Sequence, residues 1–229
     1  MLVVLYKKHD LCYNLLNGLD KEIVNGKYIK EYGDLFEKFV DLFGLGGDDV
    51  TILKRYIGHL AAKPYDHMNC AILIASNAGF GKNTLFNIIR KFYLPSVTAE
   101  TTVDRLIGNF NIDVDKLLVC VDECSCHSSK ISDRFKELIT AEQVKLNNKN
   151  EKCITLKNRL NIMCFSNSFD GFPIDIQYER RGILYNLMSV PKSKSKVIID
   201  EIYKYFNETD FISSCYHKAL EWYDSDYLT

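Results

Sequence analysis

The chain has 229 residues, of which 47% are hydrophobic and 26% charged, and its formal net charge at pH 7 is −1. This length and composition predict one globular domain with appendages, or at most two small domains. The near-neutral charge excludes nucleic-acid binding driven by the overall field, so such binding needs a local basic patch.

The cysteines and the start of the chain predict a reduced, soluble, intracellular protein. Several of the eight cysteines lie within apolar runs, where a free thiol behaves as a small hydrophobic side chain. The short apolar stretch at the start precedes its charges, which is the wrong order for a secretory signal. No apolar run approaches the roughly 20 residues that span a bilayer. One polar cluster matches no common zinc spacing and is predicted as core and loop: Cys120, Cys124, Cys126 and His127.

The first part of the chain is predicted to be helical. Apolar residues recur there at helical spacing, at Leu35, Phe36, Phe39, Val40 and Phe43. Residues 44–49 form a glycine-rich break, which closes with an aspartate that can cap the next helix. That helix ends at Pro64, and its apolar face comprises Ile52, Leu53, Tyr56, Ile57 and Leu60. The break is the predicted boundary between a helical N-terminal region, residues 1–49, and the domain that follows.

From residue 71 onward, apolar strands alternate with helices. Continuous apolar runs predict buried strands at residues 71–75, 116–121, 159–165 and 181–188. Helical spacing predicts helices at residues 85–92, 102–110 and 132–140, the last capped by Ser132 or Asp133. Alternation around an Asn- and Lys-rich turn predicts a hairpin over residues 144–157. These patterns favour a three-layer α/β domain with a mainly parallel sheet over residues 50–194, followed by a helical segment, residues 195–229.

The stretch SNAGFGKNT, residues 76–84, is similar to a phosphate-binding loop between a strand and a helix. Such a loop places backbone N–H groups and a helix N-terminus around an anion. Gly81 lets the backbone curl under the phosphates, Gly79 adds freedom, and Lys82 reaches the β and γ phosphate oxygens. Ser76 replaces the usual first glycine, at a position that needs a small residue. The candidate nucleotide-binding residues are Ser76, Asn77, Ala78, Gly79, Phe80, Gly81, Lys82, Asn83 and Thr84.

The metal ligand of this loop has two candidates. Asn83 replaces the usual Mg²⁺-binding hydroxyl, and an amide oxygen can also ligate a hard cation. Thr84 supplies a hydroxyl one residue later. The competing interpretation of the whole stretch is a strand, turn and helix without any ligand.

Three later segments place polar side chains next to strands. LLVCVDE ends in Asp122, which would hold Mg²⁺, and Glu123, which would activate the attacking water. IMCFSN ends in Asn167, which can reach the γ-phosphate if its strand is inserted beside the loop strand. Arg180 and Arg181 precede the next strand and suit bidentate phosphate contact across a subunit boundary. Each segment alone is also typical of a surface cap, a turn or a solvated charged loop.

Taken in order, these segments resemble motifs A, B, B′ and C and the arginine finger of superfamily 3 helicases. The matching stretches are SNAGFGKNT, LLVCVDE, FKELITAEQVKLNNKNEK, LNIMCFSN and ERR. The flanking YIGHLAAKP and LIGNFNIDVDKLLVCVDE are similar to the viral, phage and plasmid primase-helicase group that includes the poxvirus-type enzyme. The resemblance covers roughly residues 50–190.

This resemblance implies an AAA+-related, P-loop ATPase that uses ATP and Mg²⁺, forms a ring, usually a hexamer, and translocates on single-stranded DNA. It implies that Lys82 binds the phosphates, Asp122 the metal and Glu123 the water. Asn167 would be the sensor, and Arg180 or Arg181 would act on the neighbouring subunit.

The predicted hairpin is similar to the channel hairpin of that family. This similarity implies that Lys145, Lys149 and Lys152 contact the DNA backbone. Lysines on a flexible turn suit sequence-independent phosphate contact. The alternative is an exposed lysine-rich hairpin without a ligand.

The resulting interpretation is an ATP-dependent DNA helicase module in the replication of a virus, phage or plasmid, inside the host cytoplasm or nucleus if viral. Its expected partners are single-stranded DNA, further copies of the chain and a primase or other replication protein, with no membrane. One alternative is a ring-forming scaffold that binds ATP without hydrolysis, which Asn83 favours. Another is a viral ATPase acting on RNA. The chain is expected to be a trimmed helicase module or part of a larger replication protein, since it lacks room for a primase domain.

Overall fold

The computed structural model of the protein describes residues 18–122, 129–149, 151–168, 172 and 181–224. Its helices are α1 Lys21–Val24, α2 Lys30–Asp41, α3 Val50–Ala62, α4 Lys82–Arg90, α5 Val103–Ile107, α6 Ser129–Thr140, α7 Ser193–Tyr205 and α8 Thr209–Glu221. Its strands are β1 Ala71–Ala75, β2 Thr98–Thr101, β3 Leu118–Val121, β4 Gln143–Leu146, β5 Ile154–Lys157, β6 Asn161–Ser166 and β7 Gly182–Asn186. Short 3₁₀ turns cover Leu42–Gly46 and Pro95–Val97.

The centre of the fold is a five-stranded sheet in the order β2-β3-β6-β1-β7. Every neighbouring pair in this sheet is parallel. The predicted parallel sheet is therefore confirmed, and its four predicted strands correspond to β1, β3, β6 and β7. Strand β2 was not predicted, because its sequence TAET is polar and lacks the apolar run that marks a buried strand.

Helices cover both faces of the sheet, and alternate residues of β1 show this directly. Ile72 and Ile74 belong to the hydrophobic cluster that also contains residues of α2, α3, α4, α7 and α8. Leu73 and Ala75 belong to the cluster on the other face, with residues of α5, α6 and the hairpin. Because both faces are covered, every residue of β1 is buried, which explains its continuous apolar sequence.

The N-terminal and C-terminal helices pack against each other on one face of the sheet. The rings of Phe36 on α2 and Trp222, just after α8, stack with centroids 5.4 Å apart. Lys218 pairs with Glu37 at 2.9 Å, and Lys54 on α3 pairs with the same carboxylate at 2.8 Å. Segments predicted to flank the α/β domain thus share its core, while the proposed division at residues 49 and 194 stays a prediction.

Two predicted helix starts have different outcomes. Asp49 caps α3, since its Oδ1 accepts a hydrogen bond from the Thr51 amide at 2.8 Å. The predicted cap of α6 at Ser132 or Asp133 is wrong, because that helix begins at Ser129. Ile131 packs on the same cluster as Phe135, so the apolar stripe begins one turn earlier than expected.

The predicted hairpin is confirmed as the antiparallel pair β4–β5. On β4, Val144 and Leu146 are buried and Lys145 is exposed, while β5 is mainly exposed. The start of the turn is hydrogen-bonded to the loop that follows α5. The Asn147 amide donates to Asn111 Oδ1 at 2.8 Å, and Asn147 Nδ2 donates to the Asn109 carbonyl at 2.6 Å.

The base of the hairpin is fixed to the end of α6. Asn158, which follows β5, is 2% exposed, and its Nδ2 donates to the carbonyls of Leu138 and Ala141, both at 2.9 Å. These carbonyls lie at the carboxyl end of α6, where no helical partner remains. One amide side chain therefore joins the helix and the hairpin.

None of the helices in the described part of the chain is long and apolar enough to cross a membrane.

Candidate functional site

The predicted phosphate loop lies between the carboxyl end of β1 and the start of α4. Gly79 and Gly81 both have positive φ angles, of 85° and 109°, a conformation that glycine adopts without strain. Phe80, between them, is 1% exposed and packs edge-on against Phe43 with ring centroids 6.0 Å apart. The loop is thus anchored by one buried aromatic ring, while the first N–H groups of α4 remain available to an anion.

The Lys82 side chain connects this loop to the neighbouring strand β6. Its Nζ donates to the carbonyls of Ser76 at 2.7 Å and Ser166 at 2.9 Å, and to Asn167 Oδ1 at 2.9 Å. Lys82 is 7% exposed, and this burial lowers the pKa of its ammonium, an effect that the nearby Asp122 carboxylate opposes. The structure therefore brings Lys82, at the start of α4, close to Asp122 and Asn167, which follow β3 and β6.

The two candidate metal ligands of the loop face different partners. Asn83 Nδ2 donates to Asp122 Oδ2 at 2.9 Å, so this amide lies beside the carboxylate at the end of β3. The Thr84 hydroxyl lies 3.1 Å from the Tyr203 hydroxyl on α7, and Thr84 is only 4% exposed. Geometry therefore pairs Asn83 with Asp122 and directs Thr84 towards the C-terminal helices.

A cavity of about 440 Å³ connects these side chains. It is lined by Ala78, Gly79, Phe80, Gly81, Lys82, Asn83, Thr84, Asp122, Asn167, Ile199 and Tyr203. Another cavity, of about 530 Å³ beside Trp222, contains none of the predicted site residues. Within the described residues, no group of three or more His, Cys, Asp or Glu side chains could hold a metal ion. A cation here would rely on Asp122, an amide oxygen, water and the phosphates of a ligand, which are the ligands that Mg²⁺ prefers.

The other predicted residues lie elsewhere. Arg181 precedes β7, where its carbonyl accepts a hydrogen bond from the Ala71 amide at 2.8 Å. This is the amino edge of the sheet, about 16 Å from the loop edge given the five residues of β7. Glu123 and Arg180, together with Cys124, Cys126 and His127, lie outside the described residues. Cys120 is buried in β3.

The three hairpin lysines, Lys145, Lys149 and Lys152, are exposed. Lys145 lies on β4, Lys149 and Lys152 lie in the turn between β4 and β5, and none of the three lines the cavity. Their exposure is compatible with contact to a polymer.

Sequence reasoning missed two lining residues, Ile199 and Tyr203 on α7. Helical spacing marks Ile199 as a core residue, and Tyr203 stands out as a half-exposed aromatic side chain. Neither signal indicates that the helix lies beside α4, because Thr84 and Tyr203 are 119 residues apart in the chain.

Comparisons with known proteins identify a phage replication protein as a relative. Residues 73–181 match the sequence model of a family of unknown function, DUF5906. Over 158 residues, the chain is 30% identical to the DNA primase-polymerase of Nitratiruptor phage NrS-1, covering 66% of this chain and 21% of that protein. The chain thus spans about a fifth of the length of the curated relative.

Solved structures of the NrS-1 C-terminal region share the fold. One apo form has a TM-score of 0.62 and 22% identity, covering 85% of this chain and 47% of that chain. Another apo structure, of residues 305–718, has a TM-score of 0.60 and 21% identity, covering 89% and 55%. The parallel sheet and its flanking helices therefore follow the architecture of the NrS-1 C-terminal region, of which this chain spans about half.

Proposed function

We propose that this chain is an ATP-dependent DNA helicase module of the superfamily 3 type, with an AAA+-like P-loop site, acting in viral, phage or plasmid replication. The observation that carries the proposal is the convergence of Lys82, Asp122, Asn83 and Asn167 on one cavity. Asp122 and Asn167 follow the adjacent strands β3 and β6, and Lys82 and Asn83 begin the helix that follows β1, the next strand in the sheet. The carboxyl edge of such a sheet is where α/β proteins bind ligands.

In the proposed site, the loop amides and Lys82 would hold the phosphates of ATP. The Lys82 ammonium, now hydrogen-bonded to three protein oxygens, exchanges part of this set for phosphate oxygens. Asn167 Oδ1 is then free to orient the water that attacks the γ-phosphate. In this proposal, Asn167 responds to the γ-phosphate because its hydrogen bond with Lys82 changes when the lysine binds phosphate.

Mg²⁺ fits the Asn83–Asp122 pair. When bound, the ion would neutralise charge on the phosphates. Asp122 supplies a carboxylate oxygen, and Asn83 supplies Oδ1 after its amide rotates away from the present Nδ2 hydrogen bond. Glu123, next to Asp122 in the sequence, is proposed as the base for the attacking water.

The arginine contact is proposed to come from a neighbouring subunit. Arg181 lies at the amino edge of the sheet, whereas the predicted phosphate loop of the same chain lies at the opposite, carboxyl edge. A ring of subunits would bring Arg180 or Arg181 of one copy to the cavity of the next, where a guanidinium stabilises transition-state charge. The proposed hexamer and its intracellular location follow from this replication role.

The kinship with a phage DNA primase-polymerase supports DNA over RNA as the polymer. It also supports a primase or another replication protein as the partner of this module. An RNA-directed ATPase remains the alternative that the polymer test below distinguishes.

The hairpin lysines provide that test. We expect a triple Lys145→Ala, Lys149→Ala, Lys152→Ala variant to lose at least about ten-fold in affinity for single-stranded DNA, with a smaller dependence of binding on salt. Basal ATP turnover should persist, because these side chains do not line the cavity. The measurements are fluorescence anisotropy at several salt concentrations, ATP turnover with and without DNA, and strand displacement on a forked duplex.

The matched control removes three exposed lysines far away in the sequence, Lys21, Lys27 and Lys30, which gives the same change in net charge. Equal losses in both triple variants would show that only the overall charge matters. Stimulation by single-stranded RNA but not by DNA would assign the module to RNA.

The scaffold alternative is favoured by one observation, the amide at position 83 in place of a hydroxyl. We expect the wild-type chain to hydrolyse Mg²⁺-ATP and Asn83→Thr to raise that turnover several-fold, because a hydroxyl needs no rotation to meet the ion. Asn83→Leu, which has similar volume and no oxygen, should reduce turnover at least about ten-fold. Turnover is measured by phosphate release over a series of Mg²⁺ concentrations.

The contrary result would be wild-type phosphate release no higher than that of a Lys82→Ala variant, together with ATP-dependent oligomers seen by light scattering. That combination would identify a scaffold that binds ATP without hydrolysis.

A further inference from the structure

The cavity has two chemically different ends. Asp122 and Asn167 follow β3 and β6, which lie on one side of β1. Helix α7 follows β7, on the other side of β1, and contributes Ile199 and Tyr203 to the lining. One end of the cavity is therefore charged and polar, and the other is formed by an aliphatic and an aromatic side chain.

Helix α7 is held alongside α4 by contacts spread over its length. Ile199 Cδ1 lies 3.0 Å from the place that a Cβ at Gly81 would occupy. The Tyr203 hydroxyl meets the Thr84 hydroxyl at 3.1 Å. Beyond the end of α7, the carbonyl of Phe206 accepts from Lys91 Nζ at 2.8 Å, and the same ammonium lies 3.9 Å from the Phe206 ring centroid.

Tyr203 is fixed through its hydroxyl and yet remains 57% exposed. Its ring therefore lies at the rim of the cavity with most of its surface uncovered. An exposed aromatic ring next to a phosphate loop is suited to stack on a flat, partly apolar ligand group.

We infer that Tyr203 and Ile199 form the nucleoside subsite of this cavity, an inference that rests on the proposed nucleotide-binding function. A triphosphate whose γ end lies at Asp122 and Asn167 passes the start of α4 at Thr84 and directs its sugar and base towards α7. The Tyr203 ring then stacks on the base, and Ile199 packs beneath it.

This subsite is tolerant of the base. Every nucleobase has a π-face, so stacking alone selects weakly among them. To discriminate between bases, a site needs hydrogen-bond donors and acceptors that match the edge of one base. A wrong base then leaves these buried polar groups without partners, which weakens its binding. Among the described residues at this end, Ile199 has no such group and the Tyr203 hydroxyl is engaged by Thr84. The inferred ligands are therefore nucleoside triphosphates as a class, with affinities that vary by no more than about five-fold with the base.

The test compares nucleotides with inorganic tripolyphosphate, which carries the phosphate chain without a nucleoside. Binding of ATP, GTP, CTP, UTP and tripolyphosphate to the full chain is measured by isothermal titration calorimetry with Mg²⁺. Tyr203→Ala should weaken binding of all four nucleotides at least about ten-fold and leave tripolyphosphate binding unchanged. Tyr203→Phe keeps the ring and loses the Thr84 hydrogen bond, and its nucleotide affinities should stay within about two-fold of the wild type.

The control on the same helix is Val197→Ser, whose side chain is 73% exposed and does not line the cavity. This variant should bind every ligand as the wild type does. Equal loss of nucleotides and tripolyphosphate in Tyr203→Ala, or no loss of either, would overturn the subsite. A preference for one base of more than about ten-fold in the wild type would overturn the base tolerance.

Failure of the subsite and failure of the proposed function give different results. If the wild type binds neither nucleotides nor tripolyphosphate, the nucleotide site itself is wrong. If it binds both, and Lys82→Ala loses both, the site stands and only the Tyr203 variants decide the nucleoside subsite.

Discussion

Replacing Lys82 with alanine is expected to abolish ATP binding and turnover. Among the described residues that line the cavity, Lys82 is the cation at the predicted phosphate loop, and its Nζ binds three oxygens at 2.7–2.9 Å. Without it, the triphosphate loses its charge-assisted contact, and affinity for Mg²⁺-ATP should fall at least about 100-fold. Equilibrium dialysis with labelled ATP and phosphate release measure the two effects.

The same substitution also removes a structural contact. The Ser76 and Ser166 carbonyls and Asn167 Oδ1 lose their shared donor, and the free energy of unfolding should fall by about 1–2 kcal/mol, as judged by urea unfolding. Circular dichroism should still show a folded chain. The control is Lys91→Ala, at the residue that follows the same helix, where the ammonium binds the Phe206 carbonyl; this variant should retain ATP binding. If Lys82→Ala binds ATP within about three-fold of the wild type, the loop is not a phosphate site.

Replacing Gly81 with alanine is expected to destabilise the fold more than any other single methyl addition in the loop. Its φ of 109° is strained for an L-residue, at a cost of about 1–3 kcal/mol. The added Cβ would also lie 2.9 Å from the Phe39 ring and 3.0 Å from Ile199 Cδ1. Because Phe39 is fully buried, its ring has little room to move, and the overlap should add about 1–3 kcal/mol.

A glycine elsewhere separates strain from overlap. Gly47 has a similar φ of 95°, and a Cβ placed there would have no atom within 4 Å. Gly47→Ala should therefore show the backbone strain alone, and Gly81→Ala the strain plus the overlap, when urea unfolding of the two variants is compared. Equal losses of stability would mean that α2 and α7 do not pack tightly on the loop.

The sequence was informative where local chemistry and burial coincide. Strand β1 is apolar at every position because helices cover both of its faces, so its run of five residues was recognisable. Lys82, Asp122 and Asn167 could be brought together in advance because the carboxyl ends of parallel strands meet at one edge of a sheet. The signals that indicate this proximity are local in the sequence: a lysine that follows a glycine-containing turn, and polar residues that follow apolar strands.

Other features depend on contacts between distant segments and left no local signal. The Phe80 ring packs against Phe43, a residue of the helical N-terminal part of the chain, and no local pattern around Phe80 indicates this contact. The different surroundings of Asn83 and Thr84 depend on Tyr203, whose hydroxyl lies beside the Thr84 hydroxyl, whereas Asn83 lies beside Asp122. Strand β2 forms at the sheet edge with a polar sequence, where pairing with β3 and not apolar burial decides the structure.

The double attachment of the hairpin has a mechanical and an entropic consequence. Its turn is joined to the loop after α5 through Asn147, and its base is joined to α6 through Asn158. The hairpin, α6 and the loop after α5 are therefore expected to move as one body. In the proposed role, the lysines would meet the polymer already positioned, with less conformational freedom to lose on binding than a loose turn has.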